Sequence, residues 1–158
     1  MNHNILYSFR RCPFAIRARW ALLNTLQEVE LREVDLKNKP IELIRISKKA
    51  TVPVLQTTSN KVIDESLEIM IWCLKRSKRY EFLGDNNNSQ EIFSLIETND
   101  KTFKFHLDRF KYANRFNNQE LETHRKAAMQ ILLSLNNRLK AFSEKGKPLF
   151  LVDAKESL

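Results

Sequence analysis

Glycine is nearly missing from this chain, at 2 of 158 residues. That excludes a Gly-rich or flexible architecture, and with few tight turns on offer the chain is expected to be mostly helical. Long apolar runs are missing as well: no stretch approaches the roughly 18 residues that a membrane span requires. The opening Met1-Asn2-His3-Asn4-Ile5 lacks the charged and apolar regions of a signal peptide, so the expected location is cytoplasmic, away from membranes. Two cysteines, Cys12 and Cys73, are too few for a disulfide framework in a chain of this length and read as thiols. His3, His106 and His124 lie far apart, and no Cys/His group has ligand spacing, so no metal is expected.

What is present is enough apolar residue, 42%, to build a packed core, with 29% charged residues around it. The formal net charge is +8. Residues 1–85 hold 15 Lys/Arg against 10 Asp/Glu, and residues 86–158 hold 12 against 9, so the excess is spread with acids interleaved. An anionic small molecule accounts for such a surface as well as a polyanion does, and nucleic acid is not expected.

Asn4 to Phe9 reads as a strand, and Pro13 suits the first turn of a helix running from Phe14 to about Leu26. On that helix Ile16, Trp20 and Leu23 share one face, with Arg17 and Arg19 pointing elsewhere. Val29–Asp35 is a second strand, Pro40–Ile46 a short helix, and Thr51–Gln56 with Lys61–Ile63 two strands joined by a polar turn. Leu67, Met70, Ile71 and Leu74 have helical spacing, and the basic run Lys75–Arg79 suits that helix's C-terminus. The order β-α-β-α-β-β-α predicts an α/β domain over residues 1–80. After the polar break at Gly84–Ser89, residues 88–158 read as all-helical. Ile92, Leu95 and Ile96 open one helix that continues through Phe103, Leu107 and Phe110. Leu121, Ala128, Ile131, Leu135, Leu139 and Phe142 mark another, which Gly146-Lys147-Pro148 ends before a short extended piece at Leu149–Val152.

Cys12 follows a strand and precedes a proline at a helix start. Unpaired N–H groups and the helix dipole favour a thiolate there, with Arg10 and Arg11 adding positive charge, and the thiolate is the nucleophile of thiol–disulfide exchange. Ala15 stands where a dithiol centre has its second cysteine, so a redox cycle needs an external thiol. Cys73, inside an apolar helix, reads as a packing residue. Val52-Pro53 enters a strand with its peptide bond cis or trans; in the cis form Val52 turns its backbone groups outward toward an extended ligand. Asp64-Glu65-Ser66 opens the third helix, where a serine and free amides suit a ligand carboxylate or simply cap the helix.

Four blocks in this order, Tyr7–Ala15, Leu36–Pro40, Val52–Leu55 and Asp64–Ser66, resemble the glutathione transferase superfamily, most of all its cysteine-type, omega-like and related bacterial members. The resemblance covers the first half of the chain and implies a thioredoxin-like α/β N-terminal domain followed by an all-α domain. It implies glutathione as co-substrate, with Cys12 as the catalytic nucleophile that forms a mixed disulfide. Phe14 would shape the pocket and Lys39 would approach the glycine carboxylate. Val52 would pair its backbone with the cysteinyl unit, and Glu65 and Ser66 would hold the γ-glutamyl end. Tyr7, which in other members activates glutathione, lies within the first strand and reads as structural here. The implied reaction is thiol transfer or reduction, with dehydroascorbate-like acceptors by analogy. The second substrate, a small electrophile or a disulfide, is not specified, and a homodimer is compatible with the resemblance. A two-domain glutaredoxin-like oxidoreductase is one alternative, opposed by Ala15, and a non-enzymatic assembly module of the same fold is another. In the family the region of Asp153–Leu158 leads into a central buried helix, so the C-terminal domain is expected to be incomplete.

Overall fold

The computed structural model describes residues 2–83, 89–116, 120–143 and 151. The polar break at residues 84–88, the stop at 146–148 and, apart from Leu151, the segment from 149 to 158 lie outside them. By its internal contacts the chain divides into two units, Met1–Tyr80 and Glu81–Leu158.

The first unit is a four-stranded sheet with helices on both faces. Strands β1 (Asn4–Ser8), β2 (Val29–Glu33), β3 (Val54–Gln56) and β4 (Val62–Ile63) stand in the order β2-β1-β3-β4. β1 pairs parallel with β2, Leu6 beside Leu31, and antiparallel with β3, Leu6 beside Leu55. β1 therefore runs through the middle, and four of its five residues are buried on both faces, as an interior strand requires. The two-residue side-chain period sends Ile5 and Tyr7 to one face, where they pack with Val34, Val54 and Leu43 of helix α2 (Ile41–Ile46). Leu6, Leu55 and Ile63 face the other way, toward the side of α1 (Pro13–Asn24) and α3 (Ser66–Ser77). Leu6, Tyr7, Leu43 and Leu55 are at most 1% exposed, and burial at that level stabilises the fold by about 1.5–3 kcal/mol per large apolar side chain.

The face of α1 that turns inward is not the one its bulkiest residues mark. Ala15, Ala18, Ala21 and Leu22 are buried, whereas Ile16, Trp20 and Leu23 are 48%, 53% and 74% exposed. Small side chains on the inner face let the helix lie close against α3, and close approach excludes larger ones. Tyr7 is buried with its hydroxyl 3.2 Å from the Arg32 guanidinium, which also stacks over its ring.

The second unit is helical. α4 (Ser89–Glu97) runs into a π-type stretch at Thr98–Phe103 and on into α5 (Lys104–Lys111). α6 spans Leu121–Ser143. The expected stripe on α6 is its better-covered side, with Ala128 buried and Leu121, Ile131, Leu135 and Leu139 partly covered. The wider π turn shifts the phase of the α4–α5 stripe, and Phe110 at its far end is 39% exposed. α5 and α6 are joined by two histidines distant in sequence: His106 Nδ1 and His124 Nδ1 are 2.9 Å apart, and Phe105 packs edge-on against both rings.

The shortage of glycine shows in the corners. Leu26, Ala50, Asn60 and Lys78 all adopt positive φ, a region that glycine enters at no steric cost. Lys78, at φ 58°, is the left-handed cap that ends α3, with Arg79 N–H closing onto Leu74 O at 3.0 Å. Lys78→Gly is expected to stabilise the protein by about 0.5–1 kcal/mol, seen as a higher urea midpoint at unchanged slope.

The histidine pair makes the second unit sensitive to acid. Burial, then the neighbouring His124 and Arg109, hold His106 below the ordinary histidine range. The bond between the two Nδ1 atoms needs one of them to accept, so a proton on both Nδ1 atoms breaks it. Among the described residues, Glu120, 3.6 Å from His124 Nε2, and Arg109 are charged groups beside the pair. Below the unfolded histidine's pKa of about 6.5 the unfolded chain binds the proton more readily than the folded one, so stability falls as pH drops. Thermal melts from pH 8 to pH 5 should show that fall, and His106→Gln should reduce it.

Candidate active site

Cys12 is held by the turn that leaves β1. Its N–H donates to Phe9 O at 3.0 Å, and its carbonyl accepts the first helical bond from Ile16 N–H at 2.9 Å. Cys12 is thus the N-cap of α1, with Pro13 at the first helical position. Arg19, about two turns further on, reaches back over the turn. Its guanidinium donates to Ser8 Oγ (2.5 Å), Phe9 O (3.3 Å) and Arg10 O (3.0 Å), and fixes the backbone that carries the cysteine.

The Cys12 thiol is partly exposed and lies 3.6 Å from Val52 O, to which it donates. The Val52–Pro53 peptide is cis. No backbone partner is found for the Val52 N–H among the described residues. The N-terminus of α3 completes this side of the unit. Ser66, its first residue, is buried, and its hydroxyl oxygen accepts from Arg17 Nε at 3.0 Å and from Arg17 Nη2 at 2.8 Å. With both lone pairs taken, the hydroxyl still has its own proton to donate. Phe14 lies one turn before Arg17, and the guanidinium sits 5.0 Å over its ring.

Of the six residues singled out in the sequence, Cys12 and Val52 touch directly, and Phe14 joins Ser66 through Arg17. Glu65, exposed beside Ser66, pairs with Lys49, whose ammonium also lies 3.7 Å from Asp64. Lys39 lies partly covered in the segment before α2, and no described contact links it to the others. Arg17, Arg19 and Lys49 are the residues that sequence reasoning left out. A helical spacing of five residues from Cys12 to Arg17 puts both on the same end of α1, but a partner 49 positions away leaves no local trace.

The second thiol is of another kind. Cys73 is 0% exposed inside α3, and burial pushes its thiol up to about 11. At neutral pH only roughly one in ten thousand such groups is ionised, and the thiolate is the reactive form. Brief alkylation of the native protein at pH 7 should therefore label Cys12 alone, with Cys73 joining only after unfolding. Equal labelling rates, read by peptide mass spectrometry, would contradict this arrangement.

Among the described residues no group of three or more potential metal ligands is found. Residues 6–79 match the glutathione S-transferase N-terminal domain. No match was found among curated proteins. Several solved structures share the fold. Ure2p in complex with glutathione is 16% identical with a TM-score of 0.82, over 98% of this chain and 78% of that one. Glutathione transferase Omega 3C from Trametes versicolor is 19% identical with a TM-score of 0.81, over 99% and 68%. A delta-class glutathione transferase from Nilaparvata lugens is 18% identical with a TM-score of 0.80, over 98% and 72%. Residues 6–79 are thus similar to the glutathione S-transferase N-terminal domain, and these solved structures share their fold with nearly the whole length of this chain.

Proposed function

We propose that this protein is a glutathione-dependent thiol transferase whose nucleophile is Cys12. The observation that carries the reading is the meeting of a partly exposed N-cap thiol with the Val52 backbone, 3.6 Å apart, at one end of the sheet. Glutathione is an extended, anionic tripeptide. The Val52 N–H suits its cysteinyl carbonyl in the manner of an added strand, which holds the ligand's sulfur near Sγ. Ser66, Arg17 and the N-terminus of α3 suit the γ-glutamyl carboxylate. Lys39 suits the carboxylate at the other end, and Phe14 walls the pocket beside the thiol. Two of the solved relatives, Ure2p and a homologue from Sulfitobacter, carry glutathione, which supports the same ligand here.

The chemistry is a pair of sulfur displacements. The Cys12 thiolate attacks the glutathionyl sulfur of a disulfide substrate; the new S–S bond forms as the old one breaks, and the substrate leaves as a thiolate that takes a proton from solvent. The thiolate of a second glutathione then attacks the bound one, which departs as glutathione disulfide and restores Cys12. Ala15 is buried on the inner face of α1, so no thiol stands at that position to resolve the intermediate internally.

Incubation with oxidised glutathione should add one glutathione per chain at Cys12, reversibly by a reductant, with no adduct in Cys12→Ser. Arg17→Met should weaken retention on immobilised glutathione about tenfold, the worth of one charge-assisted bond, while leaving the thiol available to alkylation. Absence of any adduct, together with absence of retention, would rule the reading out.

A further inference from the structure

The residues that suit glutathione account for one half of a mixed disulfide, and the site still has to meet the other half. Given Cys12 as the nucleophile of thiol transfer, the reading on which this inference rests, the groups nearest the sulfur decide what that second half can carry. The bond from Cys12 N–H to Phe9 O closes a four-residue turn, with Arg10 and Arg11 at its two central positions. Both side chains are exposed, and both Cα atoms lie within about 7 Å of that of Cys12, because Arg11 adjoins it and Arg10 comes next.

Arg17, Arg19 and Lys49 are already committed. Arg17 holds Ser66 and covers Phe14, Arg19 holds Ser8 and two carbonyls of the turn, and Lys49 is shared by Glu65 and Asp64. Neither Arg10 nor Arg11 forms an ion pair among the described residues. The Arg11 guanidinium lies 5.6 Å over the Phe9 ring, a contact that keeps it on the turn without neutralising it. Glu33 brings a carboxylate to the turn, accepting the Arg10 N–H at 2.7 Å. Set against Arg10, Arg11 and Arg19, it leaves the turn positive. Because Arg19 holds the carbonyls of Phe9 and Arg10, these charges stand on a fixed frame. In the first displacement the bond from Sγ to the glutathionyl sulfur forms as the bond to the leaving thiol breaks. The electron pair passes to the leaving sulfur, which takes a proton from solvent. That thiol is one sulfur removed from Sγ, so a charge on it is felt through the roughly 8 Å over which physiological salt lets exposed charges interact.

We propose that Arg10 and Arg11 select the second substrate by charge: the favoured disulfides join glutathione to a thiol with a carboxylate or other anionic group near its sulfur, and cationic thiols are disfavoured. The test uses mixed disulfides of glutathione with mercaptopropionate, mercaptoethanol and cysteamine, which carry a negative, no and a positive charge. Each catalysed rate is divided by that of the same disulfide with glutathione alone, which removes the difference in leaving-group acidity. The native protein should favour the mercaptopropionate disulfide over the cysteamine one about tenfold in about 0.01 M salt, and lose most of that preference in about 1 M salt. Arg10→Glu with Arg11→Glu should reverse the order, and Arg10→Lys with Arg11→Lys should keep it. The ratio is the readout because a change in the reactivity of Cys12 itself alters both rates alike. Equal rates for the three disulfides in the native protein, or a preference that survives the charge reversal, would overturn the proposal and leave thiol transfer in place. No rate above that of Cys12→Ser with any of the three would overturn thiol transfer as well. Circular dichroism checks that the variants fold. Where the reversed one does not, the salt dependence of the native ratio decides: a preference that fades supports charge selection, and one that stays constant refutes it.

Discussion

The close seating of α1 on the first unit is the constraint from which the site follows. Ala15, Ala18 and Ala21 form the inner face of that helix, and their size sets how near it comes to α3. Only at that separation can the Arg17 guanidinium span to Ser66 Oγ at 2.8–3.0 Å, and only then does the start of α3 stand beside the start of α1. A larger side chain at any of the three positions would push the helices apart and cost about 1–3 kcal/mol in strain before any chemistry was affected. Arg19 works at the same end, tying the turn after β1 to the helix through three acceptors. The cysteine is therefore positioned from both sides, by the strand it follows and by the helix it caps.

Most of the first unit was legible in the sequence, because strand alternation and helical spacing are local signals. The order of strands and helices, the start of α3 at Ser66 and the placement of Cys12 before a proline could all be read directly. The face of α1 could not. Ile16, Trp20 and Leu23 outline a stripe, but burial depends on what the opposite surface leaves room for, and the sheet and α3 leave room for alanine. Sequence distance misled in the same way for the histidines. His106 and His124 lie 18 positions apart, and it is the packing of α6 against α5 that brings their rings to within a hydrogen bond. The cis state of Val52–Pro53 was open on residue types alone and is decided by the backbone.

Within the site the legible part was chemical type, and the illegible part was partnership. A thiol, a proline-bounded strand and a serine at a helix start can each be recognised alone. That Ser66 receives two bonds from Arg17, or that Glu65 is met by Lys49, depends on contacts between segments with unrelated local patterns. Those cations alter what the serine and glutamate can do. Ser66 is left as a donor rather than an acceptor, and Glu65 is part of a small charged cluster with Asp64 and Lys49 instead of an isolated carboxylate.

The two cysteines differ in depth, and that difference has a consequence for how oxidation is recorded. Cys73 is sealed in α3 and Ala15 offers no sulfur, so Cys12 cannot close a disulfide with a neighbour on its own helix and has no accessible partner in Cys73. Any disulfide it enters must be shared with another molecule. Its oxidised form therefore carries a passenger, and its reduced form does not. Where a dithiol centre stores two electrons invisibly in its own covalent structure, this centre records them as added mass and, when the passenger is an anionic peptide, as added negative charge. The state of the thiol is in this sense a binding state, and it tracks the supply of the passenger as closely as it tracks the potential of the solution.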